Sequence, residues 1–182
     1  MTVMEMEKDF ENKQYIFHEF KEENLVFLFD WLCQPYISKW CEKNAELYDM
    51  FVQEHKSRLD PKDNSYLVNL SGVPIGYIRY YYTDAIGDGW WGKSKKEVVD
   101  TARVIAMIGR PTYLGKGHGS MVIKAFVQEL FKTTDIKKII IGPHHDNTTA
   151  IKCYENAGFK PIGEKETPEG PVMVLELNKE AE

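Results

Sequence analysis

Cysteine is scarce in this sequence and badly placed for cross-linking. Cys33, Cys41 and Cys153 are its three cysteines, an odd number at wide spacings. That pattern excludes a disulfide framework and gives no zinc-ligand spacing. No N-terminal leader pattern and no long apolar run occurs, so no membrane partner is expected and the cytoplasm is the expected location. Basic excess is missing too. Lys and Arg number 23 against 28 Asp and Glu, a formal net charge of -5. This argues against nucleic acid as a partner and suits a small cationic ligand. No repeat, low-complexity tract or linker interrupts the chain. A single domain over residues 1–182 is expected, large enough for a real core. With 43% hydrophobic and 28% charged residues, the composition is that of an ordinary globular protein.

What is present centres on Leu114-Gly115-Lys116-Gly117-His118-Gly119-Ser120. A helical pattern follows at once through Met121, Val122, Ala125, Phe126 and Leu130. Ser120, Lys124, Gln128 and Lys132 form its polar stripe at intervals of four. Glycines allow positive φ and let a ligand approach the main chain. The free N–H groups at the start of the helix then face the loop. Together these features predict an anion site for a phosphate or pyrophosphate. The loop is not a P-loop, because no Gly-Lys-Ser/Thr closes it. Nor is it the dinucleotide fingerprint, since its third glycine comes too early.

Taken in order, the chain begins with a polar segment, Met1 to Asn12, that reads as loosely held. Tyr15 to Phe20 predicts a strand from its aromatic and β-branched content. Leu25 to Leu32 predicts an apolar helix that Pro35 ends or bends. Residues Glu46 to Arg58 predict a second helix, from the spacing of Leu47, Met50 and Phe51. Trp31, Tyr36 and Trp40 read as core aromatics. A hairpin over 65–80 turns at Ser71-Gly72, and Gly76 marks a bulge or a close backbone approach. The polar stretch Asp84 to Lys96 contains Gly87-Asp88-Gly89-Trp90-Trp91-Gly92. Two tryptophans beside an acid on a loop read as ligand-facing. Arg103 to Gly109 predicts a mostly buried strand and Ile136 to Ile141 another. Strand, glycine loop, helix and strand make one parallel crossover. Ligands sit at the carboxyl ends of such strands. Asp146 or Asn147 can cap a short helix that Gly158 ends. His144, His145 and Asp146 read as an exposed loop rather than a metal site. Phe159 to Lys165 and Val172 to Leu177 predict a last hairpin.

The glycine loop together with Asn147-x-x-Ala150-x-x-Cys153-Tyr154-Glu155-x-Ala157-Gly158-Phe159 resembles the GNAT superfamily of acetyl-CoA-dependent N-acetyltransferases. The likeness spans almost the whole chain. Leu114 departs from the Arg or Gln of the family's loop, whereas Gly117 and Gly119 match. Asp30-Trp31-Leu32, Pro74-Ile75-Gly76-Tyr77 and Asp88-Gly89-Trp90-Trp91 narrow the likeness to the aminoglycoside 6′-N-acetyltransferases. The resemblance implies an α+β fold, a mixed and mostly antiparallel sheet flanked by helices, with two central parallel strands splaying apart. It implies acetyl-CoA as acyl donor, with the pantetheine arm against Ile108 and Gly109. The pyrophosphate would lie on the N–H groups of Gly115, Lys116, Gly117, His118, Gly119 and Ser120, next to Leu114. Asn147 would reach the cofactor arm. No metal is implied, and the chain would act as a monomer or homodimer.

Amide formation needs a base for the acceptor ammonium, a donor for the oxyanion and a proton for the leaving thiolate. The resemblance implies direct transfer in a ternary complex, with Tyr154 as the general acid and Cys153 a packing residue. Asp88, Trp90 and Trp91 would hold the amine acceptor, with Asp88 counted beside Tyr154 as catalytic and Tyr154 also in contact with the cofactor. Two further acids of this branch are absent, their places taken by Ile105 and Gly142. Asp84, Asp100, Glu155 or a water chain could stand in as base. The alternatives are another small-amine acceptor, such as a hydroxylated lysine derivative, or a module that binds acyl-CoA without turnover.

Overall fold

The computed structural model describes residues 9–12, 14–40, 64–82, 100–167 and 170–180. Among the described residues eight strands form one sheet: β1 (Asp9–Asn12), β2 (Tyr15–Glu19), β3 (Asn64–Leu70), β4 (Val73–Tyr82), β5 (Thr101–Ile108), β6 (Lys138–Ile141), β7 (Lys160–Thr167) and β8 (Gly170–Asn178). Their order across the sheet is β1-β2-β3-β4-β5-β6-β8-β7. Among the described strands β5 and β6 are the one parallel pair, and every other pairing is antiparallel. The mixed, mostly antiparallel sheet expected from the sequence is therefore present. The helices are α1 (Leu25–Leu32), α2 (Pro35–Ser38), α3 (His118–Thr133) and α4 (Thr148–Asn156). Among the described residues no helix is long and apolar enough to cross a membrane.

Each sheet face is covered by one apolar helix surface. Alternation along β3 and β4 sends Tyr66, Val68, Ile78 and Tyr80 to the α3 face, and Leu67 and Tyr77 to the α1 face. On the α3 side Phe126, fully buried, packs its ring against Phe17, Tyr66 and Tyr80, with centroids 5.6, 5.4 and 6.1 Å away. On the other side α1 buries Leu25, Leu28, Trp31 and Leu32, spaced by threes and fours, while Val26 and Phe29 stay exposed. The Tyr77 phenol is wholly buried and satisfied by Ser65 Oγ at 2.9 Å, which avoids the cost of an unpaired polar group.

Several local expectations need correction. Asp9–Asn12 is not loose: its backbone pairs with β2, from Asp9 opposite His18 to Asn12 opposite Tyr15. Pro35 does not simply stop a helix. α1 ends at Leu32 and Pro35 takes the first position of α2, where its missing N–H is harmless. β5 is not mostly buried along its length, for it turns half-exposed from Ile105 to Ile108. Trp40 is half-buried, with its ring against His144 at 5.7 Å. The helix expected over Glu46 to Arg58 and the loop from Asp84 to Lys96 lie outside the described residues.

The hairpin, in contrast, forms as read. Ser71 and Gly72 both take positive φ, 51° and 79°, as a two-residue turn between twisted strands requires. Gly76 is a close approach: a β-carbon there would stand 2.4 Å from the Met107 carbonyl oxygen. The register shift falls beside it, between Val68 and Asn69 of the partner strand.

Candidate active site

The parallel pair positions the site. β5 and β6 pair at Thr101–Lys138, Ala102–Ile139 and Arg103–Ile140, and no further. β5 nevertheless runs on to Ile108, still paired with β4. Beyond Arg103 the two strands part, which is the splay expected. Gly109 N–H donates to Ile75 O at 2.8 Å. In an antiparallel ladder that makes Ile108 and Gly76 a non-hydrogen-bonded pair, so Ile108 turns its own N–H and C=O towards the opening. The Tyr36 hydroxyl, on α2, reaches the carbonyls of Gly109 at 2.8 Å and Ile108 at 3.3 Å. Tyr36 read as a plain core aromatic in sequence. Only the fold brings its hydroxyl to the end of β5.

The glycine loop follows directly. Arg110 Nε donates to Pro74 O at 2.6 Å and anchors the turn to β4. Residues Pro111–Tyr113 make one 3-10 turn. Gly115 and Gly117 then adopt φ of 70° and 81°, values that disfavour any residue with a β-carbon. Gly117 is the N-cap of α3 and has no side chain to cap it. The N–H groups of residues 115 to 120 find no acceptor among the described residues. Six consecutive donors at a helix N-terminus form a preset anion cradle. The Ser120 hydroxyl donates to Gly117 O at 3.0 Å and so is spent within the loop. Leu114, Lys116 and the loop glycines 115 and 117 are exposed. The side chain of His118 turns inward, against Tyr15 and Tyr113.

Gly119 has a different reason to be glycine. A β-carbon there would lie 2.9 Å from Cys153 Sγ and 3.8 Å from Ile108. α3, α4 and the end of β5 therefore meet at this point. Cys153 is free, and burial pushes its thiol pKa up, the reverse of what an attacking thiolate needs. Beside it Tyr154 packs edge-on against Phe159 at 6.0 Å. Burial, then the neighbouring Cys153, raise the Tyr154 pKa far above its usual value. Its hydroxyl has no hydrogen-bond partner among the described residues. The phenol therefore keeps its proton at any ordinary pH and has one to give.

Asn147 is the N-cap of α4, its Oδ1 accepting from Ala150 N–H at 3.1 Å. That leaves its amide nitrogen as the group able to reach a ligand. Gly158 ends the helix with φ of 105°, as read. His144, His145 and Asp146 do come together, with donor atoms within 4.8 Å. His145 Nε2 lies 3.2 Å from Asp146 Oδ1, and Asp146 N–H donates to His144 Nδ1 at 3.2 Å. These contacts hold the loop to itself, and one imidazole lone pair is already used.

Asp88, Trp90 and Trp91 lie outside the described residues, as does Asp84. Ile105 sits half-buried opposite Arg79, and Gly142 follows the last residue of β6. Asp100 is a poor stand-in for a base. It precedes the first residue of β5 and pairs with Lys137 at 3.3 Å, while five strand rises of about 3.3 Å each separate it from Ile105. Glu155 is exposed on α4.

The parted parallel strands, the donor cradle and the capped short helix are those of an acetyltransferase. Residues 21–167 match the model of the acetyltransferase (GNAT) domain, and the chain belongs to that family. Among curated proteins it is similar to the aminoglycoside N(6′)-acetyltransferase type 1 of Klebsiella pneumoniae, 34% identical over 165 residues, covering 88% of this chain and 81% of that one. It is also 31% identical over 108 residues to the spermine/spermidine N(1)-acetyltransferase of Bacillus subtilis, covering 57% of this chain and 70% of that one. Its fold is similar to that of AAC(6′)-Ib solved with paromomycin and acetyl-CoA. The TM-score is 0.77 at 28% identity, over 92% of this chain and 94% of the other.

Proposed function

We propose that this protein transfers acetyl from acetyl-CoA to the 6′-amine of an aminoglycoside, by direct attack within a ternary complex. The observation that carries the reading is the run of six unsatisfied N–H donors at residues 115 to 120, placed where β5 and β6 part. The pyrophosphate lies on that run, and the pantetheine arm adds along Ile108 and Gly109 as a further strand would. The amide nitrogen of Asn147 reaches the same arm. The acceptor nitrogen, once deprotonated, bonds to the thioester carbon. The carbon–sulfur bond breaks, Tyr154 gives its phenolic proton to the departing sulfur, and the proton that the new amide nitrogen sheds restores the phenol. Cys153 takes no part, its thiol held neutral. Asp88, Trp90 and Trp91 bind the cationic acceptor. The enzyme works in the cytoplasm as a monomer or homodimer, on small molecules.

A second reading has a specific basis. Ile105 and Gly142 stand where this branch carries acids, which removes two charge-assisted contacts worth roughly 1.5–3 kcal/mol each. An acceptor with fewer amines then competes with the drug. The test is release of free CoA thiol with kanamycin, tobramycin, spermidine and N-hydroxylysine, repeated with Asp88→Asn. Turnover of kanamycin or tobramycin that falls in Asp88→Asn supports the aminoglycoside reading. Turnover confined to N-hydroxylysine or spermidine replaces the acceptor. Acetyl-CoA binding with no thiol release from any amine leaves a binding module.

A further inference from the structure

Tyr113 and His118 bracket the glycine loop, one just before Leu114 and the other just after Gly117. Their rings meet edge to face with centroids 5.4 Å apart. The loop is therefore closed at its neck by an aromatic pair. A third residue, far away in sequence, fastens that neck. Tyr15, on β2, is almost completely buried. Its hydroxyl is 2.8 Å from His118 Nδ1 across a separation of 103 residues, and Gln14 Nε2 donates to the same oxygen at 3.0 Å. The rings of Tyr15 and His118 also meet edge-on at 6.1 Å.

Apart from the Arg110 anchor before it and the bonds that the Gly117 carbonyl accepts from Ser120 and Met121, the loop has little else to hold it. Its residues 114 to 117 are exposed, its N-cap is a glycine without a capping side chain, and its N–H groups from Gly115 onward are unpaired among the described residues. Two glycines at positive φ widen the conformations it would sample if released. A loop that must order on binding loses affinity by the entropy of ordering. His118 is the first helical residue of α3 and so fixes the cradle where the loop passes into the helix.

We propose that Tyr15 is a positioning residue for the acyl donor. Through His118 it clasps the neck of the loop and keeps the donor cradle formed before the cofactor arrives. Tyr15 acts only through His118 and touches no reacting atom. The inference rests on the reading that this loop holds the pyrophosphate.

The experiment measures acetyl-CoA affinity by titration calorimetry, and KM and kcat by thiol release, for wild type and Tyr15→Phe. The ring is retained and one hydroxyl is lost. Acetyl-CoA affinity should weaken about tenfold, the equivalent of one lost hydrogen bond, with KM for acetyl-CoA rising in step and kcat at saturation unchanged. His118→Leu should show the same loss, and adding Tyr15→Phe to it should cost nothing more. His118→Asn, which keeps a hydrogen-bonding amide near the Nδ1 position, should recover part of the affinity. A Tyr15→Phe variant that melts earlier but binds acetyl-CoA like wild type overturns the clasp and leaves only a packing role. Additive losses in the double variant overturn it too. If Tyr15→Phe does not fold, His118→Leu against His118→Asn decides alone, and equal affinities in those two reject the proposal. Wild type that fails to bind acetyl-CoA would instead remove the loop assignment on which the inference stands.

Discussion

The indole of Trp31 occupies the space that a β-carbon on Gly109 would need. Such a carbon would lie 1.9 Å from Trp31 Cδ2 and 2.1 Å from Cγ. Gly109 is not at positive φ, so its reason for being glycine is this contact and not its backbone angle. The residue that follows β5 and begins the donor site is thus chosen by a core tryptophan on the opposite helix layer. Tyr36 adds a second tie through the Gly109 carbonyl. Gly109→Ala should destabilise the fold by about 1–3 kcal/mol, the range for an overpacked core. Urea unfolding would read it, and a variant as stable as wild type would contradict the packing.

Gly117 answers to a different constraint. A β-carbon there would meet only the Met121 methyl at 3.9 Å, but φ is 81°. Gly117→Val should therefore combine backbone strain of roughly 1–2 kcal/mol with a side chain standing over the cradle. Acetyl-CoA affinity should fall strongly in calorimetric titration. Gly117→Asn tolerates left-handed backbone better and should keep more of the fold's stability. Equal affinity of Gly117→Val and wild type would end the loop assignment.

Tyr154→Phe should lower kcat by roughly 10²–10⁴-fold, as the loss of a general acid does, with a much smaller change in cofactor affinity. Because burial raises the phenol pKa above its usual 10.0, the acid form persists through the working range. No fall in rate should therefore arise from Tyr154 ionising below about pH 10. The same shift links to stability. The neutral phenol's contribution is full below the unfolded-state value and is lost as pH rises towards the raised folded-state value. A pH–rate profile and alkaline unfolding, each with and without Tyr154→Phe, would check both statements.

Cys153 and Gly119 form a pair that can be exchanged. Gly119→Ala alone places a methyl group 2.9 Å from the sulfur and should destabilise α3 against α4. Adding Cys153→Ala removes the sulfur and should restore most of the loss, a non-additivity expected of residues in contact. Cys153→Ala on its own should retain turnover, because the buried neutral thiol is not the nucleophile. Loss of activity with formation of an acyl-enzyme in wild type would reverse that assignment.

Local signals carried much of this architecture. The boundaries of α1 follow its apolar run, the Ser71-Gly72 turn follows its glycine, and Asn147 and Gly158 frame α4 as capping chemistry requires. The crossover from β5 through the loop to β6 was legible for the same reason. β1 was not, because a short polar edge strand has neither alternation nor an apolar face. What also escaped was every contact between distant segments. Nothing near Gly109 tells of Trp31, nothing near His118 tells of Tyr15, and the Tyr36 hydroxyl has no local reason to be on α2. These are products of stacking two layers on one sheet, and their partners lie 72 residues apart or more.

The free N–H groups of residues 115 to 120 have one further consequence. Main-chain donors are the same whatever side chain follows them, so Lys116 can be exchanged for almost any residue without changing the cradle's count. Proline is the exception, since it alone brings no N–H. A proline scan through Lys116, His118 and Ser120 would therefore remove donors one at a time, while an alanine scan of the same positions would leave all six in place.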